Sequence, residues 1–451
     1  CSLDHSDYID VVADDPRVAA IGLFMEDPGD IVAFSHAATK AFEKQIPVVA
    51  FKTGASQISA MLANTHSGAL AAADDWMTAL FARCGVGRVD SLADFMETLK
   101  LLATSALPRG GRVAVLTNGG GDKAMIGDAI EPFRLSLPQP SPTVAEDLAK
   151  IIPDFATVSN PLDYNAYYAG SGKDVLSEDN LELLQHCYRT MLADDYDIAL
   201  MISGSRVYPD GSYQPPGATE QAWIAATRGC DRCVVQVATL PEHMPRQYRE
   251  LLQRHGIAPL QGLNSALVAL DAAVRIGEHQ REFQAAGLPP VPAWGGEHRV
   301  WEESQSKKLL AEFGLPVGVF KVVSPKDAPR AAASIGFPVV VKVASPTIAH
   351  KDQAGGVAVG LNDESAVDKA LQRMREALSA GGLELESVLV EAMVERIDHE
   401  FILGVVSNPR FGHALMFGRG GVDVESHNDT VMLLLPATTA AIQSFIMRHP
   451  V

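Results

Sequence analysis

Short apolar runs alternate with amphipathic stretches through the first part of the chain. Val18 to Phe24 reads as a buried strand, Val32 to Lys44 as a helix, and Pro47 to Phe51 as the next strand. Helical patterns follow at Ala69–Ala82 and Ser91–Thr104. Such alternation predicts a parallel, doubly wound sheet. The turn signal Pro108-Arg109-Gly110-Gly111 opens a second block. There Arg112 to Thr117 reads as a strand, Asn118-Gly119-Gly120-Gly121 as a turn, and the residues to about Glu131 as a helix. Ile198–Ile202 and Cys233–Val237 are further strand candidates. The Pro- and Gly-rich stretch Gly287–Gly296 reads as a linker. In the third block Ser304–Phe313 is a helix closed by Gly314 and Pro316, and Pro338–Val343, Val388–Val390, Glu400–Val406 and Ala414–Phe417 read as strands. This last pattern is α+β and differs from the first two. The expected domains are 1–107, 108–286 and 302–451, with 287–301 as linker.

A chain of 451 residues exceeds one ordinary core, in keeping with this division. Hydrophobic residues make up 47% and charged residues 20%, the balance of a globular protein. No apolar run approaches the ~18 residues of a membrane span, and the N-terminus carries no secretory pattern. A cytoplasmic location without membrane contact is expected. The net charge of -18 argues against a nucleic-acid partner. Five scattered cysteines do not make a disulfide framework, and the pair Cys230 and Cys233 lacks a second ligand pair for zinc.

Candidate chemistry sits on the loops. His66 lies between the strand Pro47–Phe51 and a helix that Ser67 can cap. A helix N-terminus presents free N–H groups and partial positive charge, so with Gly68 it suits a phosphate. A neutral imidazole nitrogen of His66 could accept a phosphoryl group there. Glu26 ends an earlier strand, and strand C-termini in a parallel sheet converge on one edge. It could take a hydrogen bond from one ring nitrogen and leave the other to attack, or be an ordinary solvated carboxylate. Asn118, Gly119, Gly120 and Gly121 join a strand to a helix, either as a second phosphate cradle or as a tight turn. Tyr164, Tyr167 and Tyr168 either pack against helices or form an aromatic wall for an acid. Lys342, late in a strand, is followed by His350, Lys351 and the turn Gly355-Gly356, a pattern able to neutralise and cover phosphates.

Glu26, the segment Ala63-Asn64-Thr65-His66-Ser67-Gly68-Ala69-Leu70 and Gly85–Asp94 together resemble the α subunit of succinyl-CoA synthetase, in that order. Thr117–Gly121 resembles that family's second phosphate-binding helix, and Asn160-Pro161-Leu162-Asp163 its segment near the acyl site. Gly336–Val343, Ser345-Pro346, His350-Lys351 and Gly355–Val357 resemble an ATP-grasp domain. Val388–Val394 resembles its hinge strand, and Met416–Glu425 its glycine-rich turn.

The order of blocks is similar to single-chain, NDP-forming acyl-CoA synthetases. The resemblance implies two flavodoxin-like doubly wound parallel-sheet domains followed by an ATP-grasp (α+β) domain. It implies that ATP phosphorylates His66, steadied by Glu26, and that the phosphoryl group passes to a small carboxylic acid before coenzyme A takes the acyl group. It places Asn160 and Asp163, with the tyrosines, at the acyl pocket. It places Glu391, Ala392 and Met393 against adenine, largely through backbone groups, and Glu400 against ribose or phosphates. Mg2+ is expected with ATP, its ligands beyond Val451, and a homodimer is the expected assembly. The family's N-terminal CoA-binding domain would precede Cys1. Asp122-Lys123 after the glycines, and Leu433-Leu434-Leu435-Pro436 where many relatives have an arginine, depart from the pattern. Two other classes stay open: an ATP-grasp carboxylate ligase without phosphohistidine, and a non-catalytic regulatory module that binds nucleotide or acyl-CoA.

Overall fold

A computed structural model describes residues 3–54, 58, 74–152, 156–164, 178–205, 208–213, 215, 217–286, 301–345, 348, 351–352, 354–394, 397–421 and 430–447. They form two compact units, one of Cys1–Pro292 with Ile402–Gly418 and Asp429–Val451, the other of Ala293–Phe401 with Arg419–Asn428.

The first unit opens with α1 (His5–Val12), β1 (Ile21–Met25), α2 (Ile31–Glu43), β2 (Val48–Lys52), α3 (Asp74–Cys84), β3 (Gly87–Val89) and α4 (Leu92–Thr104). The strands pair in parallel in the order β1-β2-β3. Asp30 caps α2 by accepting from the amides of Val32 and Ala33, and Ser91 caps α4 by accepting from Asp94. Ile21, Leu23 and Met25 point to one side, into a core with Phe34, Leu80 and Phe81.

The chain continues through β4 (Val113–Thr117), α5 (Gly120–Ile130), α6 (Pro142–Ile151), β5 (Leu162–Asp163), α7 (Glu178–Met191) and β6 (Ile198–Ile202). Then come α8 (Ala218–Thr227), β7 (Cys233–Ala238), α9 (Arg246–Arg254), β8 (Ala258–Gln261) and α10 (Leu263–Ala286). This five-stranded sheet is parallel throughout, in the order β5-β4-β6-β7-β8. Every residue of β4, β6 and β7 is buried, because helices cover both faces. That is why these strands read as unbroken apolar runs. One core runs from Phe95 and Leu101 of α4, through α10, to β4, β6 and β7, so both sheets share buried surface. Cys233 is sealed in that core, and burial pushes its thiol up to about 12, so it is an inert packing residue.

The second unit contains α11 (Glu303–Glu312), β9 (Phe320–Val323), α12 (Ala328–Ile335), β10 (Val339–Val343), β11 (Val357–Leu361), α13 (Glu364–Ala380) and β12 (Val388–Ala392). The sheet is antiparallel, in the order β11-β10-β12-β9. Val339, Val341 and Val343 join Ala332, Leu371 and Met374 in the core beneath α12 and α13. Residues β13 (Phe401–Asn408), β14 (Gly412–Arg419) and β15 (Val431–Leu434) form a three-stranded sheet in that order, and α14 (Thr439–Met447) follows. Most of this sheet belongs to the first unit. Phe411, Ala414 and Leu434 pack into the same core as α2 and α3. Trp76 lies 5.8 Å from the Phe411 ring, and buried Arg83 donates to the carbonyls of Leu434 and Pro436 at 3.2 and 2.9 Å.

The architecture is α/β, with two doubly wound parallel sheets followed by an α+β region, as the hydrophobic pattern predicts. Six strands escape that pattern: β3, β5, β8, β9, β11 and β15. β8 contains Pro259, and β9 and β11 are partly exposed; all six lie at sheet edges, where one side of the ladder has no strand partner among the described residues.

Candidate functional site

Three groups of residues are brought together by these elements. The first lies at the C-terminal edge of the three-stranded sheet. β1 and β2 pair in register, with Met25 opposite Lys52 and the Thr53 amide donating to the Met25 carbonyl at 3.0 Å. Glu26 therefore leaves the sheet beside the chain that runs on from β2, and its side chain is exposed. His66, Ser67 and Gly68 lie outside the described residues.

Both ends of the intervening stretch are described. Lys52 closes β2 with a side chain only 1% exposed, and its Nζ lies 3.3 Å from Asp74 Oδ1 and 3.0 Å from the Thr53 carbonyl. Asp74 is the first residue of α3, where the helix dipole favours a negative charge, and its other oxygen takes Arg88 at 3.0 Å. A buried ammonium needs such a carboxylate, so the Lys52–Asp74–Arg88 chain fixes the two stems together. Sequence reasoning missed this group. Its signal was a lysine ending the apolar run Val48–Lys52. Beside Glu26, Asp27 binds the Arg410 guanidinium through both oxygens, and Arg410 also reaches the Gly29 carbonyl at 2.6 Å. Burial pushes the Asp27 carboxyl up, but Arg410 outweighs it and holds it below the usual range.

The second group surrounds the start of α5. Gly119 is the N-cap and offers no side chain, so the first amides of the helix face outward. Thr117 Oγ1 donates to Asp122 Oδ2 at 3.0 Å and accepts from the Gly119 amide at 3.3 Å, which holds the turn. β5 runs parallel to β4 and sets Asp163 opposite Thr117. An Asp163 oxygen lies 3.8 Å from where a Cβ on Gly120 would sit. Asn118, Gly119, Gly120, Gly121 and Asp163 thus share one sheet edge.

Two residues expected at the acyl pocket do other work. Asn160 is buried; its Nδ2 donates to the carbonyls of Val113 and Pro138 at 2.7 and 2.9 Å, and its Oδ1 accepts from the Val115 amide at 2.9 Å. It fastens β4 to its neighbouring loops. Tyr164 is 2% exposed, meets the Tyr188 ring edge-on at 5.1 Å and belongs to the core under α7. The packing alternative holds for this tyrosine. Tyr167 and Tyr168 lie outside the described residues.

The third group is a face of the four-stranded sheet. Cross-strand partners share a face, so Val340 and Lys342 of β10 lie with Leu389 and Glu391 of β12, opposite α12 and α13. Lys342 Nζ sits 2.6 Å from Glu391 Oε1 and 2.8 Å from Glu303 Oε1. Lys351 reaches Glu303 Oε2 at 3.0 Å. Lys307 pairs with Glu391, lies 3.6 Å from Glu303 and sits over the Phe320 ring at 5.6 Å. Burial alone would raise the Glu303 carboxyl; hydrogen bonds from Lys342 and Lys351 overcome this and bring it down to about 2. Glu303 and Lys307 were missed in the sequence, because a helix turn preceding a strand gives no sign of reaching its lysine. His350 lies outside the described residues.

The Gly355-Gly356 turn returns the chain to β11. A Cβ on Gly356 would meet Val343 Cγ1 at 2.6 Å, so its lack of a side chain lets the turn lie against β10. Glu400 accepts from the Gly420 amide through its carbonyl at 2.6 Å, and a Cβ on Gly420 would collide with it. The Ala392 amide donates to the Val319 carbonyl and the Met393 amide to the Pro338 carbonyl, each at 3.0 Å, so both donors are engaged in the fold. The Glu391 side chain is turned to the lysines.

A family described as succinyl-CoA ligase like flavodoxin domain matches residues 1–102, and one described as ATP-grasp domain matches residues 293–451. The chain is 27% identical over 448 residues to acetate–CoA ligase [ADP-forming] I of Archaeoglobus fulgidus, which covers 97% of this chain and 62% of that protein. It is also 27% identical over 453 residues to trans-feruloyl-CoA synthase FCS1 of an unknown prokaryotic organism, covering 97% of this chain and 61% of that one. The chain thus spans about three-fifths of the length of these curated relatives. Its fold is similar to that of the dinucleotide forming acetyl-coenzyme A synthetase 1 of Ca. Korarchaeum cryptofilum in complex with phosphate and ADP. That match has a TM-score of 0.50 and 21% identity, over 64% of this chain and 59% of that one.

Proposed function

We propose that the chain is a member of the ADP-forming acyl-CoA synthetases it resembles, and that it takes part in making an acyl-CoA thioester from a carboxylic acid, coenzyme A and ATP. The observation that carries the proposal is the Lys342–Glu303–Lys351 cluster, within the residues matched by an ATP-grasp family and in one chain with residues matched by a succinyl-CoA ligase like flavodoxin family. Cations held at fixed spacing suit a polyphosphate.

In the proposed sequence a nitrogen of His66 attacks the γ-phosphorus of ATP and ADP leaves. An oxygen of the substrate carboxylate then attacks phospho-His66, the P–N bond breaks, and an acyl phosphate forms. The coenzyme A thiolate attacks the acyl carbon and phosphate departs. Each displacement is easier than direct condensation. Lys342 and Lys351 would hold the nucleotide phosphates, with Glu400 near the ribose or phosphates. Glu26 would orient the imidazole. Ser67 and Gly68, with the Asn118–Gly121 turn, would hold the phosphoryl group, and Asp163 borders that turn. Mg2+ accompanying ATP would neutralise phosphate charge. Among the described residues no group of three or more His, Cys, Asp or Glu could hold a metal ion, so no residue here is assigned to it. The same reading has the protein acting in the cytoplasm as a homodimer, with Tyr167 and Tyr168 contributing to the acid pocket.

The test is phosphoryl transfer from γ-labelled ATP to the full-length protein and to a His66→Ala variant. Acid-labile, alkali-stable label that vanishes in the variant and is discharged by an acid plus coenzyme A is the expected result. Equal label in both proteins would move the reading to a ligase without phosphohistidine. Absence of label despite ATP binding would favour a regulatory module.

A further inference from the structure

The lysine face carries three ammonium groups, on Lys307, Lys342 and Lys351, against two carboxylates, on Glu303 and Glu391. The carboxylates differ in their support. Glu391 belongs to β12 in the middle of the sheet. Glu303 stands in the first turn of α11, a helix with Ser304 as its sole buried residue. Leu309, Leu310 and Phe313 of this segment are 39%, 43% and 79% exposed. Little apolar surface therefore holds α11 in place, and its polar attachment runs through Glu303 and Lys307 to the sheet.

A carboxylate bridging two lysines makes the same pair of charge-assisted hydrogen bonds as two phosphate oxygens. We infer that Glu303 is a stand-in for nucleotide phosphate: it occupies Lys342 and Lys351 when no nucleotide is bound, and yields them when a nucleoside diphosphate or triphosphate arrives. This rests on the nucleotide-site reading above. Withdrawal of Glu303 raises the local charge from one positive to two, which favours the incoming polyphosphate. It also frees α11 from half of its polar attachment, while Glu391 continues to hold Lys342 and Lys307. Nucleotide affinity is thus set as a difference between two anions competing for the same cations.

The experiment is calorimetric titration of the full chain with ADP, beside a Glu303→Gln variant, together with hydrogen exchange of the unaltered protein over residues 303–312. Removing the competing charge at this part-buried site is expected to tighten ADP by about three- to tenfold. ADP is expected to speed exchange in α11. Unchanged or weaker binding by the variant would overturn the inference and make Glu303 a positioning residue. So would slower or unchanged exchange in α11, a measurement that needs no variant. No binding of ADP or ATP by the unaltered protein would instead overturn the nucleotide-site reading itself.

Discussion

Two lysines, each ending a run of apolar strand residues, meet opposite fates in this molecule. Lys52 is sealed at the end of β2, with one carboxylate, Asp74, that it shares with Arg88. Lys342, its side chain a quarter exposed, lies between two carboxylates and near two further lysines. The first arrangement leaves no room for exchange of partners, so its role is to tie chain ends together. The second is partly solvated and contains more cation than anion, so a new anion can enter. Burial, rather than the identity of the charged residues, separates a fastening from a cluster with room for a further anion.

The largest effect should come from the buried side. Asp74→Ala leaves an ammonium uncompensated in the interior and should cost about 3–5 kcal/mol in a denaturant titration. A small loss would mean that Lys52 finds another partner and that the fastening is not needed. Acid should then separate the two units. His279, on α10 in the first unit, stacks edge-on against Phe42 at 5.4 Å, and burial pushes its imidazole down from 6.5 to about 4. It is held neutral, so the unfolded chain binds more protons below pH 6.5. Stability of the first unit should fall between pH 6.5 and 4 by up to roughly 3 kcal/mol, a step that His279→Leu removes. Glu303 behaves oppositely in range: its carboxyl is depressed from 4.5 to about 2, so its contribution is present above pH 4.5 and is lost only between 4.5 and 2. Hydrogen exchange as a function of pH would resolve the two.

On the exposed side, Lys342→Met should weaken ADP binding by about ten- to a hundredfold, while thermal unfolding shifts by no more than a few degrees. A large loss of stability instead would make Lys342 a fastening like Lys52. The smallest effect is expected at Arg410, whose pair with Asp27 is about two-fifths exposed on each side. Arg410→Ala should cost less than about 1 kcal/mol, read from the denaturation midpoint.

What could be read along the chain follows from this contrast. The buried parallel strands β4, β6 and β7 are legible because burial on both faces demands an apolar run. The motifs around Asn118–Gly121, Lys342 and Gly355-Gly356 are legible because glycine-rich turns and a lysine within an apolar strand stand out locally. Asn160 and Tyr164 were singled out from a motif, yet their side chains turned inward to fasten β4 and fill a core. A motif fixes where the backbone goes; it does not fix which way each side chain along it points.

The sequence by itself therefore determined that two parallel α/β blocks precede an α+β block, and which loops carry candidate chemistry, since these depend on periodicity and local backbone demands. Only the tertiary structure decided which charges meet. Lys52 finds Asp74 across residues 55–73, Asp27 finds Arg410 across 383 residues, and Lys342 finds Glu303 and Glu391 from a helix and a neighbouring strand. Such pairs obey no spacing rule. They form because packing the apolar faces brings distant polar groups together in surroundings where an unpaired charge is costly.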